Sequence, residues 1–385
     1  MKDNAPDLTD KPVILVVDNS TAVTGALVAM RNATDQLRQH YRFVYVLPAG
    51  SLGRRVLEEA SYQVYEIPFV EISRRKADLV RYVPMLVLNG WRLWRLARRE
   101  KARLIHLNDF YNLTGYMAQV LSLGRLRVVT HVRFLPQVLP QPLARVWRWT
   151  AETFASRVIC VSQAVRRYFS PAEKVQVVFD PSPDVERHPV PMVPATRPDN
   201  TVRLLYLSNY IVGKGQNFAL AAFREAYAHD ARLRLHFVGG DMGLDKNRLF
   251  RQQLEAEVHA HGLSQAVTFG GFVSDVEQAI KDADILLNFS EAESFSLTCR
   301  DALYYGTPLI ATDCGGPAEL FENGRSGLLV PNRDVQAMAA AIRRLAAEPE
   351  LRTRFAAAGR AFIRNKLRSE ATTGLLHKVY KRVLS

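Results

Sequence analysis

The regular alternation of short apolar runs with segments of helix length constrains the fold of this chain most strongly. Such runs, separated by amphipathic stretches, are typical of a parallel sheet with helices on both faces. In the first half of the chain, the apolar runs occupy residues 13–18, 42–48, 61–69, 103–109, 126–132 and 156–162. The pattern therefore predicts an α/β fold with a doubly wound, Rossmann-like sheet.

A proline-dense stretch interrupts this alternation. Residues 180–200 contain six prolines, which prevent regular helices and strands. Strand-like runs resume at 202–209, 232–240, 266–273, 284–290, 308–313 and 327–332. Because ligands bind beyond the carboxyl ends of parallel strands, we predict two Rossmann-like domains with the ligand in the cleft between them. The predicted divisions are an N-terminal domain at 1–185, a linker at 186–200, a C-terminal domain at 201–365 and a helix at 366–385 that returns to the first domain.

Charge and cysteine content narrow the class of protein. The 51 lysines and arginines exceed the 38 acidic residues, which gives a formal net charge of +13 and favours anionic partners. The three cysteines are scattered without metal-ligand spacing, so we expect a reducing compartment, no disulfide framework and no zinc site. The polar N-terminus lacks the apolar segment of a signal peptide, and we find no run of about 18 apolar residues that would predict a membrane span.

The loop "SNYIVGKG" at 208–215 is a candidate phosphate site. It places Lys214 between two glycines at the predicted start of a helix. A helix N-terminus presents unpaired N–H groups and a partial positive charge, and a lysine beside it strengthens phosphate binding. The alternative is a solvated lysine in a glycine turn, because the spacing is not that of a Walker motif.

The loop "SEAESFSLTCRD" at 290–301 carries acids on both sides of a second predicted helix start. The helix should run over "LTCRDALYY" and end at Gly306, which leaves the amide groups of about 295–298 free. Glu293 precedes this helix, and Asp301 lies roughly 6 Å further along its axis. Acids beside a phosphate site make sense if they bind neutral hydroxyl groups of a sugar or ribose. The alternative is that they only stabilise the helix N-terminus.

Other candidates follow predicted strand ends elsewhere. Gly315 and Gly316 in "TDCGGPAEL" allow close backbone approach before another helix start. In the first domain, His131 ends a strand on the predicted cleft side, and Gly25 precedes a helix. The alternatives are that the glycines are turn residues and that the histidine is structural. No GxGxxG dinucleotide fingerprint is present.

Asp282 and Asp284 form a DxD sequence, which could bind a metal ion together with a diphosphate. They precede a predicted strand, so they should lie at the end of the sheet opposite the cleft. We therefore interpret them as a cap before a buried strand and not as a metal site.

The sequence "ADILLNFSEAESFSLTCRDALYYGTPLIATDCGGPAELFENGRSGLLV", with the Lys214–Gly215 pair before it, resembles the donor-binding half of glycosyltransferase family four. The resemblance is strong over most of 202–365 and looser over 12–180, where "VVTHV" and "VICVSQAVRRYF" carry it. It implies the GT-B fold, in which two Rossmann-like domains face each other across a cleft. It also implies a retaining transfer of sugar from a nucleotide diphosphate.

The resemblance implies a role for each matching residue. Glu293 matches the first acid of the family's E-x7-E motif, expected on hydroxyl groups of the donor sugar, and Asp301 stands at the second acid, expected on the ribose. Lys214 matches the phosphate lysine, and His131 matches a histidine that contacts the donor sugar. The remaining matches, expected around the diphosphate, are the amides of Ser296, Leu297 and Thr298 and the glycine loop at Gly25.

Two positions depart from the family pattern. Asn209 stands where the family usually has an arginine, which removes one positive charge from the diphosphate site. Asp301 is one methylene shorter than the expected glutamate, which predicts a longer or water-mediated ribose contact.

Lysine and helix amides would stabilise the leaving diphosphate by charge and position, so we expect no metal ion and no cofactor besides a UDP- or GDP-linked donor substrate.

Residues 73–104 of the first domain are strongly basic and include Trp91 and Trp94. Residues 145–157 add Trp147 and Trp149 among further basic residues. Tryptophan beside lysine or arginine fits a helix in a membrane interface, so we predict contact with an anionic membrane surface. The alternative is a helix packed on the sheet with a solvated basic face. We expect no nucleic-acid partner, because no nucleic-acid-binding motif is recognised.

Taken together, these features predict a retaining glycosyltransferase that uses a nucleotide sugar and a lipid-linked, lipopolysaccharide or capsule acceptor. It should be cytoplasmic and peripheral on the inner face of the membrane. One alternative is a sugar-nucleotide epimerase on the same fold, against which the sequence around Glu293 argues. The other is a catalytically silent GT-B scaffold that binds a membrane or a partner, which Asn209 and Asp301 support best.

Overall fold

The computed structural model describes residues 11–69, 76–182 and 200–385. The chain divides into two units, each built around one parallel sheet. The first unit comprises Met1–Pro181 together with Glu370–Ser385, and the second comprises Ser182–Ser369. The predicted fold class, two Rossmann-like domains, is confirmed. The predicted linker at 186–200 lies outside the described residues except for Asn200.

Seven parallel strands form the sheet of the first unit. They are β1 (Val13–Val17), β2 (Arg42–Pro48), β3 (Gln63–Ile67), β4 (Leu104–Leu107), β5 (Arg127–Val132), β6 (Arg157–Cys160) and β7 (Val175–Val177). Their order in the sheet is β3-β2-β1-β4-β5-β6-β7. The helices of this part of the chain are α1 (Gly25–Leu37), α2 (Gly53–Glu59), α3 (Lys76–Arg99), α4 (Thr114–Leu121), α5 (Gln141–Phe154) and α6 (Gln163–Arg166), with a 3-10 turn at Pro136–Val138.

Six parallel strands form the sheet of the second unit. They are β8 (Val202–Leu207), β9 (Leu233–Val238), β10 (Val267–Phe269), β11 (Ile285–Asn288), β12 (Leu309–Thr312) and β13 (Leu328–Val330). Their order is β10-β9-β8-β11-β12-β13. The helices are α7 (Gln216–Tyr227), α8 (Asp245–Ala260), α9 (Val276–Lys281), α10 (Leu297–Tyr305), α11 (Val335–Ala347) and α12 (Pro349–Lys366), with a 3-10 turn at Gly316–Glu319.

Strand positions agree closely with the sequence pattern. Each of the twelve predicted runs overlaps a strand, and α10 covers the predicted segment and ends at Gly306, whose φ is +82°. The pattern did not predict β7, because Val-Gln-Val is too short and too mixed to show a period. The central strands are continuously apolar since both faces of a parallel sheet are covered, and all of β1 is buried.

Strand order reverses once in each sheet, between β1 and β4 in the first unit and between β8 and β11 in the second. Loops that leave such neighbouring strands run to opposite faces of the sheet and open a crevice at the carboxyl ends. In the second unit, the two loops carry Lys214 and Glu293. In the first unit, Asp18 and Asn108 occupy the corresponding places. The topology therefore positions one polar site in each unit.

The last helix, α13 (Ser369–Leu384), packs on the sheet of the first unit. Leu376, Val379 and Tyr380 join the core cluster that includes residues of β1 and β2. The Tyr380 hydroxyl lies 2.9 Å from Nδ1 of the fully buried His106 in β4. Burial, followed by the charge of Arg133, lowers the pKa of His106 to about 3, so its ring is neutral at physiological pH.

Replacing Tyr380 by Phe should lower the free energy of unfolding by about 1–3 kcal/mol, because Nδ1 of the buried His106 loses its hydrogen-bond partner. Denaturant unfolding of the full chain measures this change. Lys378→Ala, at an exposed position of the same helix, is the matched control and should stay within about 0.5 kcal/mol of the unmodified chain. Equal stability of the two variants would contradict a stabilising role for the hydrogen bond.

Candidate active site

The loop after β8 holds Lys214 through contacts with the end of β11. The carbonyl oxygen of Lys214 accepts a hydrogen bond from the Tyr206 hydroxyl, which itself accepts one from the Phe289 amide at 2.9 Å. Gly215 has a φ of +81°, and a Cβ atom there would lie 1.9 Å from the carbonyl oxygen of Phe289. Only glycine fits this position, so the lysine loop and the end of β11 form one fixed element.

Lys214 and Glu293 form an ion pair that joins the two loops at the strand switch. Nζ of Lys214 lies 2.7 Å from Oε1 of Glu293, and the Ser290 hydroxyl donates to the same oxygen at 3.0 Å. Burial lowers the pKa of Lys214, but the Glu293 carboxylate more than offsets this effect and raises the pKa overall. Oε2 of Glu293 has no hydrogen-bond partner among the described residues, so it can accept from a ligand hydroxyl group.

The loop after β12 positions the backbone of Glu293. The Glu293 amide donates to the carbonyl oxygen of Cys314 at 3.2 Å, and the Gly316 amide donates to the carbonyl oxygen of Glu293 at 2.8 Å. Gly315 has a φ of +124°, and a Cβ atom on Gly316 would lie 2.4 Å from Cα of Phe295. Gly316 therefore lets this loop meet the backbone at Phe295, Gly315 supplies the left-handed turn before it, and the hydrogen bonds of the loop hold Glu293 in place.

Helix α10 begins beside this pair with free amide groups. Its N-cap residue Ser296 accepts from the Cys299 amide at 3.3 Å and from Nδ2 of Asn288 at 3.1 Å. These bonds fix Ser296 at a φ of +78°, which is strained for a residue other than glycine. Within the described ranges, the amides of Ser296, Leu297 and Thr298 have no acceptor. Three free N–H groups at a helix N-terminus form a site suited to a phosphate.

Asp301 lies one turn into α10 and pairs with its neighbour Arg300. Nε of Arg300 donates to Oδ1 of Asp301 at 2.8 Å, and Nη2 lies 2.7 Å from the same oxygen. Burial raises the pKa of Asp301, and the Arg300 guanidinium opposes the rise. Oδ2 has no partner in the part of the chain that the structure describes, so it is the oxygen available to a ligand.

Asn209, which replaces the arginine expected from the resemblance, links two loops of the second unit. Its Oδ1 accepts from the Gly240 amide at 3.0 Å, and its backbone carbonyl oxygen accepts from Nε2 of Gln216 at 2.8 Å. A Cβ atom on Gly239 would lie 2.0 Å from the carbonyl oxygen of Ser208, which shows how closely the loops approach. The side chain of Asn209 therefore braces the loop after β9 through Oδ1.

A buried polar network lies at the carboxyl ends of the strands of the first unit. Nε of Arg133 donates to Oδ1 of Asn108 at 2.6 Å, and its Nη1 donates to both carboxylate oxygens of Asp180, at 2.7 and 3.0 Å. Nδ2 of Asn108 donates to Oδ2 of Asp18 at 2.6 Å. The network connects residues that follow β1, β4, β5 and β7.

His131, predicted as a ligand-binding histidine, lies next to this network and is only 3% exposed. Nη2 of Arg133 lies 3.4 Å from its Nδ1, whereas Nε2 is buried and has no partner among the residues described. Burial, and then the charge of Arg133, lowers the pKa of His131 well below its usual value, so the ring is neutral. A buried ring nitrogen without a partner is unfavourable in the protein alone, and a ligand hydroxyl group would satisfy it.

Gly25 is the first residue of α1 and follows the N-cap residue Thr24. The Thr24 side chain accepts from the Leu27 amide at 3.3 Å. The amides of Gly25 and Ala26 have no acceptor in the described parts of the chain, so this helix also begins with free N–H groups.

Direct contacts bring together Lys214, Glu293 and the loop of Gly315 and Gly316, whereas Asp301 and Asn209 have separate partners. Sequence reasoning missed four residues that shape the sites: Ser290, Arg300, Arg133 and Asp180. Arg133 had a weak signal, since it is a basic residue two positions after the strand-end histidine. Asp180 had none, because it stands at the edge of the proline-dense stretch.

The interpretation of Asp284 as a cap is confirmed. Its Oδ2 accepts from the Arg203 amide at 2.8 Å, at the start of β8. No group of three or more His, Cys, Asp or Glu side chains in the described residues is arranged to hold a metal ion. Cys160, Cys299 and Cys314 are buried free thiols.

Helices α3 and α5 carry the basic and aromatic residues predicted to face a membrane. Trp91 is 40% exposed and Trp149 59%, and the Arg95 guanidinium lies over the Trp91 ring at 4.8 Å. The expectation is wrong for Trp147, which is 7% exposed and packs into the core because it lies on the opposite face of α5. Residues 73–75 lie outside the described residues. Among the helices that are described, none has both the length and the hydrophobicity needed to cross a membrane.

Two family models match the chain, one in each unit. The model described as Glycosyltransferase Family 4 matches residues 23–179, and the model described as Glycosyl transferases group 1 matches residues 193–362. Together they cover most of the sequence.

Curated relatives match over segments of their length. The chain is 26% identical to the glycogen synthase of Mycobacterium tuberculosis over 262 residues, which are 66% of this chain and 60% of that protein. It is 34% identical to the lipopolysaccharide core biosynthesis mannosyltransferase LpcC of Rhizobium leguminosarum over 102 residues, which are 26% of this chain and 29% of that protein. The matches thus span less than two thirds of either relative.

Solved structures match over nearly the whole chain. The crystal structure of HepE from Anabaena in complex with UDP and glucose has a TM-score of 0.80 at 21% identity, and the match covers 96% of this chain and 100% of that chain. A likeness at this identity shows the fold. From the two family models and this fold, we conclude that the chain belongs to the family-4-type glycosyltransferases with the GT-B fold.

Proposed function

We propose that this chain is a retaining glycosyltransferase that moves a sugar from a nucleotide diphosphate to a lipid-linked or lipopolysaccharide-type glycan. The observation that carries the proposal is the 2.7 Å ion pair between Lys214 and Glu293 beside the free amides of α10. Two similar proteins support the substrate classes. HepE has been crystallised with UDP-glucose, and LpcC is a mannosyltransferase of lipopolysaccharide core biosynthesis.

In the proposed complex, the diphosphate binds at the N-terminus of α10. Lys214 has three N–H donors and directs one to Glu293, so two remain for phosphate oxygens. The amides of 296–298 add donors that are already oriented by the helix. Donors fixed in advance stabilise the negative charge that develops on the leaving diphosphate.

The acidic and histidine side chains have neutral partners in this proposal. Oε2 of Glu293 accepts from a hydroxyl group of the donor sugar, and Oδ2 of Asp301 accepts from the ribose. The neutral ring of His131 offers Nε2 to a sugar hydroxyl group. Hydroxyl groups carry no charge, so the acids can lie close to a phosphate site without binding the phosphate itself.

The proposed reaction retains the configuration of the sugar. The acceptor hydroxyl group attacks the anomeric carbon on the face from which the diphosphate leaves. The bond between this carbon and the diphosphate oxygen breaks as the bond to the acceptor oxygen forms, and the acceptor proton passes to the departing phosphate oxygen. The protein binds, orients and stabilises charge, and we propose that Lys214 and the helix amides serve in place of a metal ion.

We also propose that the enzyme works as a peripheral protein on the inner face of the cytoplasmic membrane. The exposed Trp91 and Trp149 and the arginines of α3 support this location. Aromatic rings beside guanidinium groups suit the boundary between lipid headgroups and acyl chains.

The proposed activity is tested by incubating the full chain with UDP-, GDP- and dTDP-sugars and a membrane extract. One donor should release its nucleoside diphosphate only when the extract supplies an acceptor, with or without EDTA. The anomeric proton signal of the product should show the configuration of the donor. Isomerised sugar nucleotide formed without an acceptor would identify an epimerase instead. If the panel shows no turnover and no calorimetric binding, both enzyme activities are refuted and the silent scaffold is favoured.

Glu293→Gln should reduce turnover by about a hundredfold to a thousandfold, because the amide neither pairs with Lys214 nor replaces the carboxylate oxygen offered to the sugar. Turnover is measured with the active donor, and thermal unfolding confirms that the variant folds. Glu291→Gln is the matched control, since Glu291 lies in the same loop but pairs with Arg333. Equal activity of the two variants would refute the assigned site.

The chain should float with vesicles that contain anionic phospholipid, and added salt should weaken the binding because it screens the charge of α3. A variant that combines Trp91→Ser and Trp149→Ser should bind less, since both rings are exposed. Vesicles of neutral lipid serve as the comparison. Equal binding to neutral and anionic vesicles would contradict the assigned role of the basic surface.

A further inference from the structure

An apolar pocket in the first unit has no role in the proposed transfer chemistry. Its volume is about 260 Å³, and α3 contributes Met85 and Leu86 to its wall. The other apolar lining residues include Phe134, Leu139 and Trp147. The apolar part of the lining favours a hydrocarbon, whereas Asn19, Asn89, Asn112 and Thr114 supply polar groups to the rest of the wall.

Polar groups connect the pocket with the strand ends of the first unit. Asn19 and Tyr111 belong to the pocket lining, and the Tyr111 hydroxyl group interacts with the side chains of Asn19 and Asp109. Asn19 and Asp109 each stand two residues after the end of a strand, β1 and β4 respectively. The pocket therefore extends from the apolar side of α3 to the strand switch where the buried polar network lies.

Positive charge lies behind the wall of the same pocket, on Arg92, which does not line the pocket but contacts a residue that does. Nη1 of Arg92 donates to Oδ1 of Asn89 at 3.3 Å, and Asn89 is a lining residue whose Nδ2 donates to the carbonyl oxygen of Pro68 at 2.7 Å. Arg92 has no carboxylate partner among the described residues. A partly apolar cavity beside a guanidinium group that has no carboxylate partner in the described parts of the chain complements a molecule with a hydrocarbon chain and an anionic head.

We propose that this pocket binds the hydrocarbon chain of a phosphate-bearing lipid acceptor, whose phosphate group contacts Arg92. This inference rests on the proposed function and identifies the part of the acceptor that the first unit recognises. The exposed apolar residues Val83 and Val87 of α3 precede and follow the lining residues Met85 and Leu86, so a chain can pass from a lipid surface along this helix into the pocket.

Calorimetric titration of the full chain with decyl phosphate, below its micelle concentration, tests the pocket without any sugar. Decyl phosphate should bind saturably, and inorganic phosphate and decanol should each bind about tenfold more weakly because each lacks one of the two recognised parts. Leu86→Trp fills the pocket and should weaken decyl phosphate binding about tenfold. Leu88→Trp, at an exposed position of the same helix that does not line the pocket, is the matched control and should bind like the unmodified chain.

A second variant keeps the test decisive if Leu86→Trp is unstable. Arg92→Gln should weaken decyl phosphate binding about fivefold and leave decanol binding unchanged. Calorimetric binding of the active sugar-nucleotide donor measures the donor site separately and should be the same in both variants and the unmodified chain. Absence of saturable binding, or equal binding by all variants, overturns the pocket assignment even if sugar transfer is observed. Binding that follows the predicted order supports it even if transfer fails, which would refute only the proposed function.

Discussion

The ion pair between Lys214 and Glu293 is the interaction on which the candidate active site depends. It joins the loops that leave β8 and β11, the two strands between which the order of the second sheet reverses. Backbone contacts hold both partners: the Tyr206 hydroxyl bonds the lysine loop, and the loop of Gly315 and Gly316 bonds the backbone of Glu293. The pair needs this support, because the desolvation of two charges can exceed their attraction unless the geometry is fixed.

The two units use their strand switches differently. In the second unit, hydrogen-bond donors remain for a ligand. Lys214 directs one of its three N–H groups to Glu293, and the three amides at the start of α10 have no acceptor among the described residues. In the first unit, Arg133 bonds Asn108 and Asp180, and burial, followed by the charge of Arg133, lowers the pKa of the neighbouring His131 and keeps its ring neutral. One edge therefore suits an anion and the other suits neutral hydroxyl groups.

Much of this architecture could be predicted because it follows from local patterns. The strand runs, the limits of α10 and the glycines of the loops are each determined within a few residues, by hydrophobic period or by backbone sterics. The pairs Arg133–Asp180 and Arg42–Glu100 join residues 47 and 58 positions apart, and no short motif encodes such contacts. Arg300 and Asp301 are adjacent in the sequence, but their pairing could not be predicted because the directions of the side chains on the helix decide whether such neighbours meet.

The close approach of Gly215 to Phe289 has a consequence for how this scaffold can change. A Cβ atom added to Gly215 would lie 1.9 Å from the carbonyl oxygen of Phe289, so the lysine loop packs backbone against backbone on the end of β11 and has little room to move. Adaptation to another donor must therefore come from side chains around a rigid centre. Asn209 and Asp301 lie at such peripheral positions, and they are where this chain differs from the pattern of the proteins it resembles.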